Sequence, residues 1–337
     1  MTTEEKYMRK CLNLALKGFA AVSPNPMVGC VIVKDDTIIG EGYHMVFGGP
    51  HAEVAAIASV KDPESLIGAT VYVSLEPCSH FGKTPPCADL LIKSKVSKVI
   101  IGMMDPNPLV SGKGIERLRQ AGIEVTCGVL ENDCRFLNRR FVVNQTLKRP
   151  YVILKWAESS DGFMSGKFKK ISGLAAQTRL HKWRSEEDAF LVGTNTLLID
   201  NPGLSTRLWK GKNPIRIAVD FNLRSAGMKL KFAEGPQRSI ILNGIREGKE
   251  GNIEYIKIDS KEPNSIVKAL QSLGLGSVVI EGGAELLNSF LKARLYDEIR
   301  VFKSTVLLLE DGIKAPKLDF PFVESENLLE DTLFIFR

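Results

Sequence analysis

The chain has 337 residues, of which 44% are hydrophobic and 25% charged, and its formal net charge is +6. This composition is typical of soluble globular proteins, and at roughly 100–200 residues per domain the length predicts two domains. The positive charge is mild and scattered, so it suits a phosphate-bearing ligand and gives no reason to expect nucleic acid as a partner.

The first residues are polar and acidic, without the apolar core of a signal peptide, and no run of about 18 apolar residues occurs. We therefore expect no export signal, no membrane span and a cytoplasmic location. Cysteines in such a chain indicate a reducing compartment, where they are metal ligands or buried thiols rather than disulfides. The cysteines stand at positions 11, 30, 78, 87, 127 and 134.

Apolar spacing in the first half predicts alternating helices and strands, and hence a mixed sheet with helices packed on it. The first helix is broken by Ser23-Pro24-Asn25-Pro26. Predicted helices cover residues 5–18, 51–60, 87–95 and 114–121, and predicted strands cover residues 28–33, 37–42, 70–75, 99–103 and 124–128.

A basic stretch at residues 135–150, ending in Pro150, marks the predicted domain boundary. A second α/β pattern follows it, and a polar loop is predicted between residues 193 and 207. Its predicted strands cover residues 151–157, 189–193, 216–220, 239–243, 277–281 and 300–308, and its predicted helices cover residues 175–185, 264–273 and 284–293.

His51, Cys78 and Cys87 are candidate metal ligands in the first half. His51 and Glu53 stand one residue apart where a Gly-Gly-Pro loop enters a predicted helix, and Cys78 follows a predicted strand. Thiolate and imidazole ligands suit zinc, and three protein ligands leave the fourth position to water, as in catalytic sites. Zinc would bring that water's pKa toward neutrality, and Glu53 would move protons from water to the ring nitrogen and the leaving amine.

The pattern resembles the His-x-Glu and Pro-Cys-x-x-Cys signature of zinc-dependent nucleobase deaminases. It departs from that signature in the spacer, because eight residues separate Cys78 from Cys87 instead of two. Two other interpretations stay open here. His51 and the cysteines also fit a capping histidine with buried thiols, and His80 also fits a fourth ligand of a structural zinc ion. His44 is assigned to the substrate or to the surface.

In the second half, residues 277–287 read as an apolar strand, a Gly-Gly turn and a helix. A helix N-terminus behind glycines binds phosphate through free N–H groups, but a plain tight turn fits this segment equally well. The G-x-G-x-x-G pattern of dinucleotide-binding folds is absent.

With these residues the chain resembles the bifunctional pyrimidine deaminase/reductase family of riboflavin biosynthesis, over nearly its whole length. The long Cys-to-Cys spacer separates that family from cytidine and nucleic-acid deaminases. The resemblance is carried by Pro24-Asn25-Pro26-Met27-Val28-Gly29, His51-Ala52-Glu53, residues 74–87, Met104-Asp105-Pro106-Asn107-Pro108 and Gly112-Lys113-Gly114.

The resemblance implies a cytidine-deaminase-like three-layer αβα domain at 1–146 and a dihydrofolate-reductase-like α/β domain at 147–337. The first, a zinc hydrolase, would remove the 2-amino group of 2,5-diamino-6-ribosylamino-4-pyrimidinone 5′-phosphate. The second, an oxidoreductase, would use NADPH to reduce the ribosyl group to ribityl. The partners implied are Zn²⁺, NADPH, this phosphorylated pyrimidine and further copies of the chain in a homo-oligomer, with no nucleic acid and no membrane.

The resemblance also implies ligand-binding residues in the second domain. Arg184 and Arg207 are physically sensible phosphate clamps, since guanidinium groups pair bidentately with phosphate. The first strand matches the family at Lys155, Ser159, Asp161 and Gly162. The implied cofactor contacts are Glu158 (through its backbone), Thr196, Asp200, Gly283, Ala284, Glu285 and Leu286, and the implied substrate contacts are Arg184, Leu204, Arg207 and Glu281.

The chain departs from the family at residues 167–172, where Phe168 replaces a serine that contacts substrate and Lys170 replaces a tryptophan that contacts cofactor. This departure leaves open a deaminase whose C-terminal half only dimerises the chain. A nucleic-acid editing deaminase is a third hypothesis, but it predicts a Cys-x-x-Cys spacer and a basic channel with stacking aromatic residues. The spacer and the 7% aromatic content disfavour it.

Overall fold

Two units make up the chain, Met1–Lys148 and Arg149–Arg337, and each has its own sheet and its own apolar core. The structure is a computed structural model that describes residues 1–79, 85–108, 110–165 and 170–337. Within these ranges, no helix combines the length and the apolar character needed to cross a membrane.

The sheet of the first unit consists of β1 (Gly29–Lys34), β2 (Thr37–Tyr43), β3 (Thr70–Leu75), β4 (Lys98–Met103) and β5 (Glu124–Cys127). The spatial order is β2-β1-β3-β4-β5, with β1 antiparallel to both neighbours and the last three strands parallel. The central strands are apolar on both faces because helices cover both faces of the sheet.

Helices form the outer layers of the first unit. One apolar core packs Ala56 and Leu91 against one face of the sheet, and another packs Met8 and Leu12 against the opposite face. The predicted three-layer αβα architecture is therefore confirmed. The helices are α1 (Thr3–Leu16), α2 (Ala52–Ala58), a 3₁₀ turn (Pro63–Leu66), α3 (Cys87–Lys93), α4 (Lys113–Gln120), α5 (Glu131–Leu137) and α6 (Arg139–Leu147).

Helices α5 and α6 occupy the basic stretch in which the sequence predicted only a boundary. Between them, Asn138 accepts a hydrogen bond from the Met27 backbone N–H (2.8 Å) and donates one to the Met27 carbonyl (2.9 Å). Phe141 and Val142 pack against the core beneath α1. These helices therefore belong to the first unit, and their exposed basic residues gave the segment the composition of a linker.

The main sheet of the second unit has ten strands, mostly parallel, in the order β11-β12-β10-β9-β8-β13-β6-β14-β17-β16. A separate pair joins β7 to β15. The strands are β6 (Tyr151–Glu158), β7 (Phe163–Ser165), β8 (Ala189–Gly193), β9 (Ile215–Val219), β10 (Ser239–Asn243), β11 (Gly248–Glu250), β12 (Ile253–Lys257), β13 (Ser277–Glu281), β14 (Glu298–Ser304), β15 (Ile313–Lys314), β16 (Glu324–Leu328) and β17 (Asp331–Phe336).

Helices lie on both faces of this sheet as well. On one face Leu270 and Phe290 pack into the main core, and on the other Trp183 stacks on Phe302 at 5.1 Å between ring centroids. This α/β unit fits the predicted reductase-like fold class. The helices are α7 (Leu174–Glu186), α8 (Thr194–Asp200), a 3₁₀ turn (Lys231–Ala233), α9 (Pro263–Ser272) and α10 (Ala284–Ala293).

Two predictions for the second unit were wrong. Residues 194–200 form helix α8 instead of a polar loop, and the strand predicted to end at residue 308 ends at Ser304. Thr and Asn at the start of α8 have modest helix propensity, so the sequence signal there is weak. The strand ends where the Ser304 hydroxyl accepts the backbone N–H of Leu307 and turns the chain.

Candidate active sites

The three predicted metal ligands lie together beside the carboxyl end of β3. His51 immediately precedes α2, Cys78 follows β3, and Cys87 is the first residue of α3. His51 Nδ1 is 3.3 Å from Cys87 Sγ and 3.6 Å from Cys78 Sγ. All three ligand atoms lie within 4.8 Å of one another, so the long spacer leaves Cys87 beside Cys78.

The two thiols and the imidazole are electrostatically coupled. The Cys87 thiol and the His51 ring lower the pKa of Cys78 to about 4 against the effect of burial, and contact with Cys78 raises the pKa of Cys87. The backbone N–H of Cys87 also donates to Cys78 Sγ at 3.3 Å. This donor set of two thiols and one imidazole, with three members, fits a catalytic zinc ion.

Glu53 lies in the first turn of α2, only 3% exposed. Burial raises the pKa of its carboxyl to about 7. Glu53 lines a cavity of about 250 Å³ together with His51 and Cys78. A carboxyl group of this kind can take up and release protons near neutral pH, as general acid–base catalysis requires.

His44 lies buried in the wall of the same cavity, which excludes the surface alternative of its assignment, and its contact with the substrate stays a prediction. Its Nδ1 is 2.9 Å from the Pro50 carbonyl, which can only accept, so Nδ1 carries the proton. Its Nε2 then accepts from the Asn25 amide at 3.2 Å. Burial lowers the pKa of His44, which favours this neutral ring. His80, the alternative fourth ligand, lies outside the described residues.

Sequence reasoning missed Glu76, which organises another wall of this cavity. Its carboxylate accepts the backbone N–H groups of Asp105 (3.1 Å), Gly112 (2.9 Å) and Gly114 (2.9 Å). Asp105 and Asn107 line the cavity beside it. The available signal was the pair of Pro-rich and Gly-rich segments at 104–108 and 112–114, whose backbone N–H groups need a buried acceptor.

In the second unit, Glu281 lies at the end of β13 between two cations. Its Oε1 is 3.0 Å from Lys155 Nζ and its Oε2 is 2.9 Å from Arg184 Nη2. Burial alone would raise the pKa of Glu281, but Lys155 and Arg184 lower it to about 2. The carboxylate therefore stays ionised. Arg184 also donates to the Ser205 carbonyl at 3.3 Å, so both of its terminal nitrogens are already engaged.

Two adjoining cavities lie at the carboxyl ends of these strands. The Glu281 cavity, about 400 Å³, contains Lys155, Arg184, Leu204 and Glu281 in its wall. The Asp220 cavity, about 350 Å³, is lined by residues that follow β8 and β9 and by the start of α10. Ligands of open α/β sheets bind at such strand ends. The walls of both cavities include Asn195, Thr196 and Gly283.

Most of the predicted cofactor residues border these cavities. Asp200 and Ala284 line the Glu281 cavity, and Glu285 and Leu286 line the Asp220 cavity. Three glycines leave backbone exposed around this strip, since Gly193 borders the Asp220 cavity, Gly282 borders the Glu281 cavity and Gly283 borders both. A backbone wall lets a pyrophosphate approach closely, so the pair of cavities fits an extended dinucleotide.

Glu158 and Arg207 line neither cavity within the described part of the chain. The Glu158 carboxylate accepts from Trp156 Nε1 at 2.9 Å, and the Arg207 backbone N–H donates to His181 Nδ1 at 2.8 Å. Lys170 does border the Glu281 cavity, whereas Phe168 lies outside the described residues.

The chain matches two family models. Residues 1–103 match the cytidine and deoxycytidylate deaminase zinc-binding region, and residues 150–317 match the RibD C-terminal domain. The riboflavin biosynthesis protein RibD of Aquifex aeolicus is 38% identical, over 99% of this chain and 98% of that protein. RibD of Escherichia coli is 36% identical, over 92% of this chain and 89% of that protein.

Solved structures give the same result. A diaminohydroxyphosphoribosylaminopyrimidine deaminase/5-amino-6-(5-phosphoribosylamino)uracil reductase of Thermotoga maritima superposes with a TM-score of 0.90 at 38% identity, covering 98% of this chain and 97% of that one. RibD of Acinetobacter baumannii superposes with a TM-score of 0.87 at 33% identity, covering 98% of each chain.

Proposed function

The chain belongs to the RibD family of bifunctional riboflavin biosynthesis enzymes, and on that premise we propose which of its residues carry each reaction. It is a deaminase and a reductase, with zinc and NADPH as its cofactors. The first unit hydrolyses the 2-amino group of 2,5-diamino-6-ribosylamino-4-pyrimidinone 5′-phosphate. The second unit then reduces the ribosyl group of the product to ribityl.

In the first unit, His51, Cys78 and Cys87 hold the zinc ion. Zinc, when bound, acidifies a water molecule for attack on the ring carbon that carries the amino group. Glu53 accepts a proton of the attacking water and passes protons to the ring nitrogen and to the leaving amine. A C–O bond to the ring carbon forms, the exocyclic C–N bond breaks, and the products are a ring carbonyl and ammonia. The observation that carries this proposal is the buried Glu53 carboxyl in the same cavity wall as His51 and Cys78.

Asn25 and His44 orient the pyrimidine in this proposal. The neutral His44 ring holds the Asn25 amide through Nε2 and is itself fixed by the Pro50 carbonyl. A carboxamide held in one orientation presents a defined hydrogen-bonding edge to a heterocycle.

In the second unit, Lys155 and Glu281 face the sugar that is reduced. NADPH, when bound, supplies the hydride. Reduction of the ribosyl carbon also requires a proton on the sugar oxygen, and the Lys155 ammonium is the donor that Glu281 fixes in the cavity wall. Arg184, Leu204 and Arg207 complete the proposed substrate site, and Glu158, Thr196, Asp200 and residues 283–286 the cofactor site.

The coupled reaction tests this assignment. The diaminopyrimidine phosphate is supplied with NADPH, and ammonia and NADPH are followed separately. We expect ammonia release first, followed by oxidation of one NADPH per ammonia. NADPH oxidation without prior ammonia release would contradict the proposed order of the two steps.

We also propose that the chain works in the cytoplasm as a homo-oligomer on a small molecule, without nucleic acid or a membrane. Family resemblance and the scattered charge of +6 support this proposal. The chain mass is 37.2 kDa, and light scattering of the purified protein should give the mass of a dimer or a larger oligomer. Excess tRNA should leave the rate of deamination unchanged. A monomeric mass, or competition by tRNA, would contradict it.

A further inference from the structure

The two cavities of the second unit fix the direction in which a dinucleotide would lie. Lys155 and Glu281, the groups assigned to the reacting sugar, border only the Glu281 cavity. The hydride-donating end of the cofactor must therefore lie there. The strip shared by both cavities, at Thr196 and Gly283, then contacts the middle of the cofactor, and the Asp220 cavity receives its adenosine end.

NADPH differs from NADH by one phosphate on the adenosine ribose, so an enzyme that distinguishes them needs a cation at that end. Two basic side chains border the Asp220 cavity within the described ranges, Arg224 and Lys261. Lys261 already lies 3.6 Å from the Glu285 carboxylate, whereas Arg224, which is exposed like Lys261, has a different partner. Arg224 Nη1 donates to the Asn195 amide oxygen at 3.2 Å, and no ion pair to a carboxylate is seen for it among the described residues.

Asp220, which follows β9, holds the turn that carries Arg224. Asp220 is fully buried, and its Oδ1 accepts the Arg224 backbone N–H at 3.1 Å. Its Oδ2 accepts the backbone N–H (2.8 Å) and the hydroxyl (2.7 Å) of Ser225. In NAD-specific enzymes an acid at such a strand end accepts the ribose 2′-hydroxyl. Here both carboxylate oxygens of Asp220 already accept hydrogen bonds from Arg224 and Ser225. The turn that these bonds stabilise places the Arg224 guanidinium at the Asp220 cavity.

We infer that Arg224 binds the 2′-phosphate of NADPH and sets the preference of the reductase for NADPH over NADH. This inference rests on the proposed cofactor site and adds the residue that determines its specificity. The planar guanidinium donates in a fork that matches phosphate oxygens. Asn195 accepts from this fork, and Asp220 fixes the Arg224 backbone from which it extends.

The test compares the wild type, Arg224→Gln, Lys261→Gln and Lys292→Gln, with the deaminated substrate and either cofactor. For Arg224→Gln we expect kcat/KM with NADPH to fall roughly 10–100-fold, and the NADPH-to-NADH ratio of kcat/KM to fall with it. Lys261→Gln tests the other cation of the cavity, and its ratio should fall less than that of Arg224→Gln. Lys292→Gln, an exposed cation on α10 that lines neither cavity, is the control and should behave as the wild type. Binding of adenosine 2′,5′-bisphosphate, measured by calorimetry, should weaken in Arg224→Gln, while binding of 5′-AMP should not.

An equal loss for both cofactors, or an unchanged ratio, in Arg224→Gln would overturn the inference and leave the proposed function intact. A fall of the NADPH-to-NADH ratio of kcat/KM in Lys261→Gln instead of Arg224→Gln would also overturn the inference. If the wild type oxidises neither cofactor, the proposed reductase function itself fails, and the inference fails with it.

Discussion

Cys87 is the proposed zinc ligand that follows the unusual eight-residue spacer. In Cys87→Ala the ligand set falls to His51 and Cys78, and two protein ligands hold zinc poorly. We expect elemental analysis to find close to one zinc per wild-type chain and a small fraction of that in Cys87→Ala. Cys127→Ala is the matched control, a half-buried cysteine on β5 outside the ligand cluster. Equal zinc content in all three proteins would remove Cys87 from the site.

Glu281 makes the stability of the second unit depend on pH in a predictable direction. Its pKa falls from a usual value of 4.5 to about 2, so its contribution is complete above pH 4.5 and is lost as the pH falls toward 2. Between pH 6 and pH 3 the wild type should lose about 2 kcal/mol of unfolding free energy from this group. Glu281→Gln should lack this loss and should be less stable at pH 6 by roughly 3–5 kcal/mol, because two buried cations lose their partner.

Urea unfolding followed by tryptophan fluorescence measures this effect, since Trp156, Trp183 and Trp209 all lie in the second unit. Glu285→Gln is the control, because its side chain is 79% exposed on α10. If Glu281→Gln loses as much unfolding free energy between pH 6 and pH 3 as the wild type does, the ion pairs of Glu281 are not the cause of that loss.

Residue chemistry made part of the first site predictable. Zinc ligands are few in kind, so His51, Cys78 and Cys87 could be proposed from the sequence although their spacer is unusual, and their ligand atoms lie within 4.8 Å of one another. Glu76 could not, because its role lies in accepting backbone N–H groups from residues about 30 to 40 positions away. Arg184 was chosen as a phosphate clamp for its geometry, but the sequence contained no sign that Glu281 and Ser205 already occupy it.

At the level of elements, the start of α4 and the end of β3 are in close contact. A Cβ atom on Gly114 would lie 2.1 Å from the Pro77 carbonyl oxygen, which immediately precedes Cys78. In Gly114→Ala this backbone must move, so we expect zinc affinity to fall roughly tenfold or more. Chelator competition measures that affinity.

Gly122→Ala is the control for this prediction. Its φ of +81° makes alanine strained, but no atom lies within 4 Å of the added carbon. It should lower stability by about 1–2 kcal/mol and leave zinc affinity unchanged. If both variants lose zinc equally, general destabilisation explains the loss, and the contact with Pro77 does not.

Several elements with a strong apolar period were predicted well, but the apolar strands β12 and β17 were missed, as were shorter or more polar segments. The strand at residues 70–75 and the helix at residues 284–293 agree with the structure at both ends. Helix α8 and the edge strand β16 were missed, because a seven-residue helix and a five-residue polar strand show too few periods to be recognised. Tertiary contacts decide the structure of such segments.

At the scale of the whole molecule, one chain combines a deaminase unit with a reductase unit. The fold class of the first half was predictable from its specific His-x-Glu and cysteine pattern, whereas that of the second half came from the family resemblance; each half matches its own family model. The departure at residues 167–172 had left a deaminase-only chain open. The match of residues 150–317 to the RibD C-terminal domain supports the bifunctional interpretation instead.

The most direct test measures NADPH oxidation by Glu53→Gln with either of two substrates, the diaminopyrimidine phosphate or its deaminated product. Glu116→Gln, an exposed acid on α4, is the control and should behave as the wild type with both. We expect Glu53→Gln to retain zinc, to release almost no ammonia and to oxidise no NADPH with the first substrate, yet to oxidise NADPH at the wild-type rate with the second. Oxidation with both substrates, or with neither, would contradict the assignment of the two reactions to separate sites.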